Sequence, residues 1–111
     1  MSDCVFCKII AEQIPSTRVY EDDRVIVIKD IHPKAPVHLL ILSRVHLASL
    51  NELEPAHEGL IGYMMRLLPV IANKQGLSNG FRTIINTGPG GGQEIPHLHI
   101  HLLGGGRLPG F

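Results

Sequence analysis

Three histidines alternate with aliphatic residues near the end of the 111-residue chain, in the run His97-Leu98-His99-Ile100-His101-Leu102-Leu103. Successive side chains of a β-strand point to opposite faces, so a strand here would present all three imidazoles on one face. Such a row suits either a metal site with histidine ligands or nucleophilic catalysis, in which one imidazole attacks and its neighbours bind charge. A chance row of histidines at a strand edge is the weaker interpretation, because the alternation is strict.

A glycine-rich loop, residues 87–93 (TGPGGGQ), ends just before this row. Glycine has no Cβ, so consecutive backbone N–H groups in the loop could curl around an oxyanion such as phosphate. Asn86 and Gln93 would add side-chain amide donors at the two ends of the loop. The glycine spacing matches neither a P-loop nor the dinucleotide-binding fingerprint, and a plain flexible hairpin is an equal alternative. The position next to the histidine row is what favours a phosphate site.

The chain has two cysteines, Cys4 and Cys7, separated by two residues. This spacing allows two thiolates to bind one tetrahedral zinc ion at Zn–S distances of about 2.3 Å. Two buried free thiols are the alternative, and a redox pair is disfavoured because no thioredoxin-like βαβ pattern follows the cysteines. We therefore expect zinc, with two further ligands from elsewhere in the chain.

The elements that must position these residues follow from the hydrophobic pattern. Apolar residues at helical spacing predict a short helix over 5–13 and a main helix over 55–75. A bend is expected near residues 65–69, because Pro69 lacks the N–H that a helix interior needs. Five strands are predicted, at 18–20, 24–28, 37–42, 81–86 and 97–103, from β-rich runs, from the nearly unbroken apolar run over 37–42 and from the alternation over 97–103. Strands grouped around one long helix, without regular βαβ alternation, predict an α+β fold with an antiparallel sheet.

Composition narrows the class of protein. The length suits one modest hydrophobic core, so we expect a single domain over residues 1–111. Ten basic and ten acidic residues give a net charge of zero, which disfavours nucleic acid and anionic membranes as partners. The longest apolar stretch, 60–72, is interrupted and too short to span a membrane, and the N-terminus shows no signal-peptide pattern. We expect a cytoplasmic protein whose low charged content, 18%, suggests a buried oligomer face.

Taken together, Asn86, residues 91–93 (GGQ) and the run 97–103 resemble the signature of the histidine triad (HIT) superfamily. Gly104-Gly105 and the segments 20–24 (YEDDR), 30–31 (DI) and 35–38 (APVH) are similar to its Hint branch, the histidine triad nucleotide-binding proteins. The resemblance covers nearly the whole chain. It implies a HIT-like fold with a five-stranded antiparallel sheet, one long and one short helix, and homodimers in which two sheets join. It also implies a purine nucleoside phosphoramidase or adenylyl hydrolase that releases AMP.

The resemblance implies roles for three histidines. His99 matches the nucleophile, which attacks the α-phosphorus and becomes nucleotidylated, and His101 and His38 match its supporting imidazoles. A neutral imidazole, with a pKa of about 6.5, is a good nucleophile and a fair leaving group, so a covalent phosphorus–nitrogen intermediate can form and break. His38, the one polar residue in its apolar strand, would protonate the departing amine directly or through His101, unless it is a hydrogen-bonded core histidine.

Substrate and metal contacts follow from the same resemblance. Asp30 matches the residue that accepts hydrogen bonds from the ribose hydroxyls. The matches to the phosphate contacts are Asn86, Gly92 and Gln93. The positions that enclose the purine are matched by Phe6, Ile9, Ile28, Ile31 and Leu40, each of which would serve equally as core. His46 and His97 match histidines that complete a Cys₂His₂ site with Cys4 and Cys7. A structural zinc ion bound there would tie the first helix to the sheet. The resemblance implies that catalysis itself needs no cofactor.

One residue departs from the family pattern. Glu94 stands where the Hint branch often has a Ser or Thr that donates a hydrogen bond to the phosphate or the leaving group. A carboxylate there would repel the phosphate, so we expect Glu94 to point outward or to favour a cationic leaving group such as a lysine-like amine. Our hypothesis is that Glu94 tunes the choice of leaving group.

Other functions stay open. Within the superfamily, a dinucleoside polyphosphate hydrolase is the alternative, although its members often have Pro and a basic residue in place of Gly104-Gly105. From other classes, the candidates are a zinc-dependent hydrolase with His97, His99 and His101 as ligands, and a non-catalytic nucleotide-binding module. The nucleotidyltransferase branch is disfavoured because it carries Gln at the third histidine position. His32 and His57 are expected to be solvated and receive no role.

Overall fold

The structure, a computed structural model, describes residues 3–110. Its two helices are α1 (Val5–Ile10) and α2 (Glu58–Lys74). Its strands are β1 (Arg18–Glu21), β2 (Val25–Lys29), β3 (Val37–Ser43), β4 (Arg82–Ile84) and β5 (His99–Gly104). Short 3₁₀ turns cover Leu50–Glu52, Pro55–His57 and Pro89–Gly91. Among residues 3–110, neither helix combines the length and apolar character needed to cross a membrane.

The five strands form one antiparallel sheet in the order β1-β2-β3-β5-β4. This arrangement confirms the predicted α+β fold with one long and one short helix. Strand β3 is central, and its register with β5 pairs Leu40 with His101 and Leu42 with His99. Because side chains alternate along each strand, His38 lies on the same face as these two histidines. The register of β3 and β5 therefore gathers three histidines from two strands.

Each face of the sheet carries its own apolar core. On one face, α2 packs its buried side chains against β2, β3 and β5, through residues that include Met64, Leu68, Ile71, Val27, Leu39, Ile41, Ile100 and Leu102. On the other face, α1 packs against β2 and β3, through residues that include Phe6, Ile9, Ile26, Ile28, Leu40 and Leu42. Strand β3 is thus buried on both faces, as its nearly unbroken apolar run predicts. The histidine face is the one that α1 covers.

The bounds of α1, β4 and β5 differ from the prediction. Helix α1 stops after six residues, where Glu12 takes a left-handed φ of 62° and the Gln13 N–H donates back to the Lys8 carbonyl. Strand β5 begins at His99 instead of residue 97, since the Leu98 N–H donates to the Leu47 carbonyl at 2.6 Å and not to a neighbouring strand. Strand β4 keeps only residues 82–84 of the predicted 81–86.

The main helix begins three residues later than predicted, at Glu58, after the Pro55–His57 turn. Pro69 lies within the continuous helix on its exposed side, where its missing N–H affects the carbonyl of the exposed residue Met65. The bend near Pro69 stays a prediction. His57 is half-buried instead of solvated, because its Nδ1 accepts a hydrogen bond from the Glu54 N–H at 2.9 Å.

Candidate active site

A cavity of about 470 Å³ lies on the face of the sheet that α1 covers. It is lined by α1, by strands β2, β3 and β5, and by the glycine-rich loop. Most residues proposed for catalysis or substrate binding line it, namely Asp30, Ile31, His38, Leu40, Asn86, Gly92, His99 and His101. Phe6, Ile9 and Ile28 line it as well. Its volume suits a small organic ligand.

The main chain sets the orientation of the buried His99 ring. Its Nδ1 lies 2.6 Å from the carbonyl oxygen of His97. A carbonyl can only accept a hydrogen bond, so Nδ1 carries the proton and Nε2 keeps an unshared electron pair. The ring of Phe6 packs edge-on against the His99 ring at a centroid distance of 5.0 Å. His99 therefore offers a nucleophilic nitrogen on a ring that lines the cavity.

Two further imidazoles form a directional pair beside His99. The main-chain N–H of Lys34 donates to Nδ1 of His38 at 3.1 Å, so Nδ1 of His38 is unprotonated. The proton of His38 then sits on Nε2, which lies 3.0 Å from Nδ1 of His101. A neutral His101 that accepts this hydrogen bond carries its own proton on Nε2. The pair thus ends in an N–H donor on a ring that lines the cavity.

The surroundings favour the neutral form of both supporting imidazoles. Burial, together with the neighbouring rings of His99 and His38, lowers the pKa of His101 to about 4, although Asp30 acts in the opposite direction. Burial also lowers the pKa of His38, and Asp30 again opposes the shift. Neutral rings at pH 7 agree with the hydrogen-bond pattern, in which one imidazole donates and the other accepts.

Asp30 lies next to this pair. Its Oδ2 is 3.4 Å from Nε2 of His38, and its Oδ1 accepts a hydrogen bond from the His32 N–H at 2.8 Å. The side chain remains 17% exposed, so lone pairs of the carboxylate are available to a pair of vicinal hydroxyls. Ile31 is 82% exposed at the cavity and is not a core residue, whereas Leu40 is buried in the sheet. Of the two predicted purine contacts, Ile31 is thus an exposed side chain at the cavity and Leu40 is a buried one.

The glycine-rich loop is held by its own backbone. The turn at Pro89–Gly91 is flanked by Gly88 and Gly92, whose φ angles of 69° and 79° lie in the left-handed region. The N–H groups of Gly91, Gly92 and Gln93 donate to carbonyls within the loop. These three amides are therefore not free to surround an oxyanion, which corrects the expectation of an open backbone nest.

Gln93 fastens this loop to its neighbours. Its Nε2 donates to the carbonyls of Ala48 and Ile95 at 2.7 and 2.9 Å, and its Oε1 accepts from the Gly88 N–H at 2.8 Å. Gln93 is not among the residues that line the cavity, so its phosphate contact stays a prediction. Asn86 does line the cavity, and its Nδ2 donates to the Gly91 carbonyl at 2.8 Å.

Glu94, the residue that departs from the family pattern, is exposed and lines the cavity. Several other cavity residues were missed from the sequence, among them His32, for which no role was expected. The other missed residues are Val5, Ile14, Pro15, Ser16, Lys29, Lys34, Ile84, Ile95 and Leu103. No residue-type signal marks them, because only the fold brings their helix, strand and loop positions together around the cavity. Lys34 acts on His38 through its main-chain N–H, which any residue except proline could provide.

A second cluster joins α1 to the sheet. The ligand atoms of Cys4, Cys7, His46 and His97 all lie within 4.8 Å of one another. Nδ1 of His97 is 3.3 Å from Sγ of Cys4, 3.6 Å from Sγ of Cys7 and 3.1 Å from Nδ1 of His46. Zinc at its usual bond lengths would separate tetrahedral sulfur and nitrogen ligands by about 3.3–3.8 Å. These four residues therefore fit a tetrahedral metal ion.

The protonation of His97 suits this role. The residue is fully buried, and its Nε2 donates to the Ser43 carbonyl at 2.7 Å, so Nδ1 in the cluster is unprotonated. Burial lowers the pKa of His97 and favours the neutral ligand form, although the Ser43 hydrogen bond opposes the shift. Burial and the neighbouring Cys4 raise the pKa of the Cys7 thiol, an effect that a bound cation would reverse.

The histidine row therefore divides between two sites. The ligand nitrogen of His97 belongs to the cysteine cluster, while Nδ1 of His99 is bound to the main chain. Within residues 3–110, His97, His99 and His101 do not form one metal-binding group. A zinc hydrolase site made of these three histidines is therefore wrong. Asp30, His38 and His101 also lie close enough to share an ion, but their imidazoles are in direct hydrogen-bond contact.

Comparisons with known proteins bear on the family and the fold of this chain. A family model described as "Scavenger mRNA decapping enzyme C-term binding" matches residues 3–107. Protein HitA of Neisseria gonorrhoeae is 53% identical over 104 residues, which cover 94% of this chain and 97% of that protein. The 14 kDa zinc-binding protein of Zea mays is 44% identical over 109 residues, or 96% of this chain and 85% of that protein.

Two further matches bear on family and fold. The purine nucleoside phosphoramidase of Escherichia coli (strain K12) is 42% identical over 107 residues, or 96% of this chain and 90% of that protein. A solved structure of a histidine triad protein from Clostridium difficile has a TM-score of 0.96 and 42% identity, and the match covers 100% of this chain and 97% of that one. With His99 and His101 on β5 and the shared fold, these matches show that the chain belongs to the histidine triad family.

Proposed function

We propose that this protein is a nucleotide hydrolase that releases AMP from adenosine 5′-phosphoramidates, or from aminoacyl-adenylate-like substrates, through a nucleotidyl-histidine intermediate. The observation that carries the proposal is the 2.6 Å hydrogen bond from Nδ1 of His99 to the His97 carbonyl, which leaves Nε2 free to attack. Similarity to the E. coli protein named purine nucleoside phosphoramidase supports the choice of substrate class.

In the first step, Nε2 of His99 attacks the α-phosphorus and the phosphorus–nitrogen bond to the leaving amine breaks. Nε2–H of His101 donates a proton to the departing amine. His101 recovers a proton at Nδ1 from Nε2 of His38, 3.0 Å away, so the pair stays one proton short while nucleotidyl-His99, with its proton still on Nδ1, carries the balancing positive charge. A neutral His101 agrees with the lowering of its pKa to about 4.

In the second step, water attacks the phosphorus of nucleotidyl-His99. The bond between Nε2 of His99 and phosphorus breaks, and the free imidazole is restored with the proton still on Nδ1. The water gives its proton to Nε2 of His101, Nδ1 of His101 returns a proton to Nε2 of His38 and so restores the pair, and AMP leaves. Two displacements at phosphorus replace one difficult step, as in other covalent mechanisms.

The remaining cavity residues bind the nucleotide. Asp30 accepts hydrogen bonds from the ribose hydroxyls, and the exposed Ile31 covers one face of the purine above Leu40. Asn86 contacts the phosphate through the second N–H of its Nδ2, and Gly92, whose own N–H is used within the loop, lets the phosphate approach because it has no Cβ. Gln93 keeps the glycine-rich loop in place. A small purine nucleotide also suits a chain of zero net charge, which lacks the basic excess of nucleic-acid-binding proteins.

We further propose a structural zinc ion at Cys4, Cys7, His46 and His97. The distances between the ligand atoms support it, as does the name of the zinc-binding relative from Zea mays. Bound there, zinc would supply a crosslink between α1 and the sheet. A cytoplasmic, reducing location would keep the two thiols available as ligands.

A homodimer in which two sheets join completes the proposal. Strand β4 is an edge of the sheet, and Phe81 beside it is 40% exposed. On α2, Met65 and Val70 are also exposed, at 42% and 48%. Sedimentation equilibrium should give twice the chain mass of 12.2 kDa, and Phe81→Glu should shift the mass toward the monomer. A native protein that sediments as a monomer would remove this part of the proposal.

The central experiment combines turnover with trapping of the intermediate. Purified protein is mixed with adenosine 5′-phosphoramidate and AMP release is measured. Parallel samples are quenched with denaturant at alkaline pH, where a phosphorus–nitrogen bond survives, and are digested for mass spectrometry. We expect turnover and a nucleotidyl group on the peptide containing His99. His99→Gln should lose both, whereas His57→Gln, which lies outside the cavity, should keep both. Cleavage of diadenosine polyphosphates alone, or nucleotide binding without any turnover, would overturn the phosphoramidase proposal.

A further inference from the structure

Three of the four residues of the metal cluster lie on the same two short stretches of chain that hold the proposed nucleophile. Phe6 lies between Cys4 and Cys7, and His97 lies two residues before His99. Each stretch supplies both metal-ligating atoms and a direct contact to the His99 ring. The two sites are therefore physically continuous.

His97 forms the first link between them. Its imidazole is held at both nitrogens, by the Ser43 carbonyl at 2.7 Å and by the cluster, where Sγ of Cys4 is 3.3 Å away. The carbonyl of the same residue accepts the 2.6 Å hydrogen bond from Nδ1 of His99. Because both ring nitrogens of His97 are held, the main chain of His97 has little freedom to rotate. The cluster therefore restrains the His97 carbonyl oxygen, which accepts the hydrogen bond from Nδ1 of His99.

Phe6 forms the second link. It is 4% exposed and packs edge-on against both rings, at centroid distances of 5.8 Å to His97 and 5.0 Å to His99. The angle between the ring planes is 90° in the first pair and 72° in the second. Edge-to-face packing of this kind favours particular ring orientations, so a displaced Phe6 would leave the His99 ring less restrained.

Helix α1 depends on its attachments to hold Phe6 in place. It has six residues, and a helix of this length is unstable on its own. Arg18 Nη2 holds the other end of the helix through the Ile9 carbonyl at 2.7 Å. Cys4 and Cys7 stand at the end that carries Phe6, so a metal ion held by the cluster would fasten that end to His46 and His97.

We propose that the Cys4–Cys7–His46–His97 cluster, when it holds zinc, is a positioning device for the nucleophile. His97 and Phe6 are the positioning residues, and they keep His99 in the Nδ1–H form with Nε2 directed at the phosphorus. The kinetic part of this inference rests on the proposed function. Loss of zinc should slow the attack on phosphorus more than it weakens nucleotide binding, because Asp30 and Ile31 do not contact the cluster.

The direct test is to determine which ring nitrogen of the neutral His99 carries the proton, with and without zinc. Ring nitrogen NMR spectra of ¹⁵N-labelled protein are recorded before and after chelation, with zinc content measured and circular dichroism used to confirm the fold. We expect the Nδ1–H form of His99 in the zinc-loaded protein and a mixture of the two forms after zinc removal. A folded, zinc-free protein with an unchanged His99 spectrum would overturn the inference. This measurement does not depend on turnover, so it stands even if the proposed function fails.

A pair of variants tests the link through Phe6 while all four ligands are kept. Phe6→Leu retains an apolar side chain but removes the ring, and Ile10→Val is the matched control because Ile10 lies on the same helix and does not line the cavity. We expect Phe6→Leu to bind zinc normally and to lower kcat about 10- to 100-fold with little change in KM, since small displacements of a reacting group have effects of this size. Ile10→Val should keep the native kcat. Equal kcat in both variants, whether native or reduced, would overturn the role of Phe6.

Discussion

Nε2 of His38 lies 3.0 Å from Nδ1 of His101, and both side chains stand on the same face of the sheet. Their strands bring them together, since β3 pairs Leu40 with His101 and places His38 as the diagonal neighbour. With the Lys34 N–H donating to Nδ1 of His38, the protons of the pair are ordered in one direction, toward the cavity. The proton donor of the site is thus a product of strand register.

His101→Gln should slow the hydrolysis of substrates with poor leaving groups more than that of substrates with good ones. An amine needs a proton to depart, whereas a p-nitrophenolate does not, and general acid catalysis contributes about 100- to 10,000-fold. We expect a loss of kcat in this range on the phosphoramidate and a much smaller loss on the p-nitrophenyl ester of AMP, measured by steady-state kinetics. Equal losses on both substrates would contradict a proton-donating role for His101.

Acid should destabilise the folded protein through His101. The folded pKa is lowered to about 4, whereas the pKa in the unfolded chain is about 6.5. Between these values the unfolded chain binds more protons, so the free energy of unfolding rises with pH from about 4 to about 6.5 and then levels off for this group. The lowered pKa of His38 acts in the same direction. Urea unfolding midpoints across this range should depend less steeply on pH in His101→Gln, and an equally steep dependence would refute the assignment.

Asp30→Asn should remove discrimination between ribose and deoxyribose. A carboxylate accepts two hydroxyl donors, and each hydrogen bond to a charged group is worth about 1.5–3 kcal/mol. Native protein should therefore prefer the ribonucleotide substrate to its 2′,3′-dideoxy analogue by about 10-fold or more in kcat/KM. The variant should treat the two nearly alike. A variant that keeps the native preference would show that Asp30 does not bind the ribose.

Glu94→Ser should change which leaving amine is preferred. The Glu94 carboxylate is exposed at the cavity, so its attraction for a cationic amine is screened and worth about 1 kcal/mol or less, or up to about fivefold in rate. We expect the ratio of kcat/KM for a cationic and a neutral alkylamine phosphoramidate to fall in Glu94→Ser and to stay native in Glu58→Ser, an exposed position on α2. An unchanged ratio in Glu94→Ser would end the hypothesis.

Local patterns were enough to predict the elements. Alternation over residues 97–103, an apolar run over 37–42 and the stripe of α2 each report a period that one element carries by itself. The order of the strands and the exact bounds of the elements could not be predicted from these patterns. Strand β5 begins two residues late because the Leu98 N–H donates to the Leu47 carbonyl. Helix α1 ends early because Glu12 takes a left-handed φ, and the apolar pattern signals neither event.

The sequence by itself determined the chemical groups of the site, since three histidines in alternation, two cysteines two residues apart and a resemblance to the histidine triad pattern were all readable without coordinates. Only the tertiary structure decided what each group does. His97 lies in the cysteine cluster, whereas His99 and His101 line the cavity. The side chain of Gln93 forms hydrogen bonds that hold the glycine-rich loop in place. The physical reason is that the proton position of an imidazole depends on its hydrogen-bond partner. Those partners are 54 positions away for His97 and Ser43, and 63 positions away for His101 and His38.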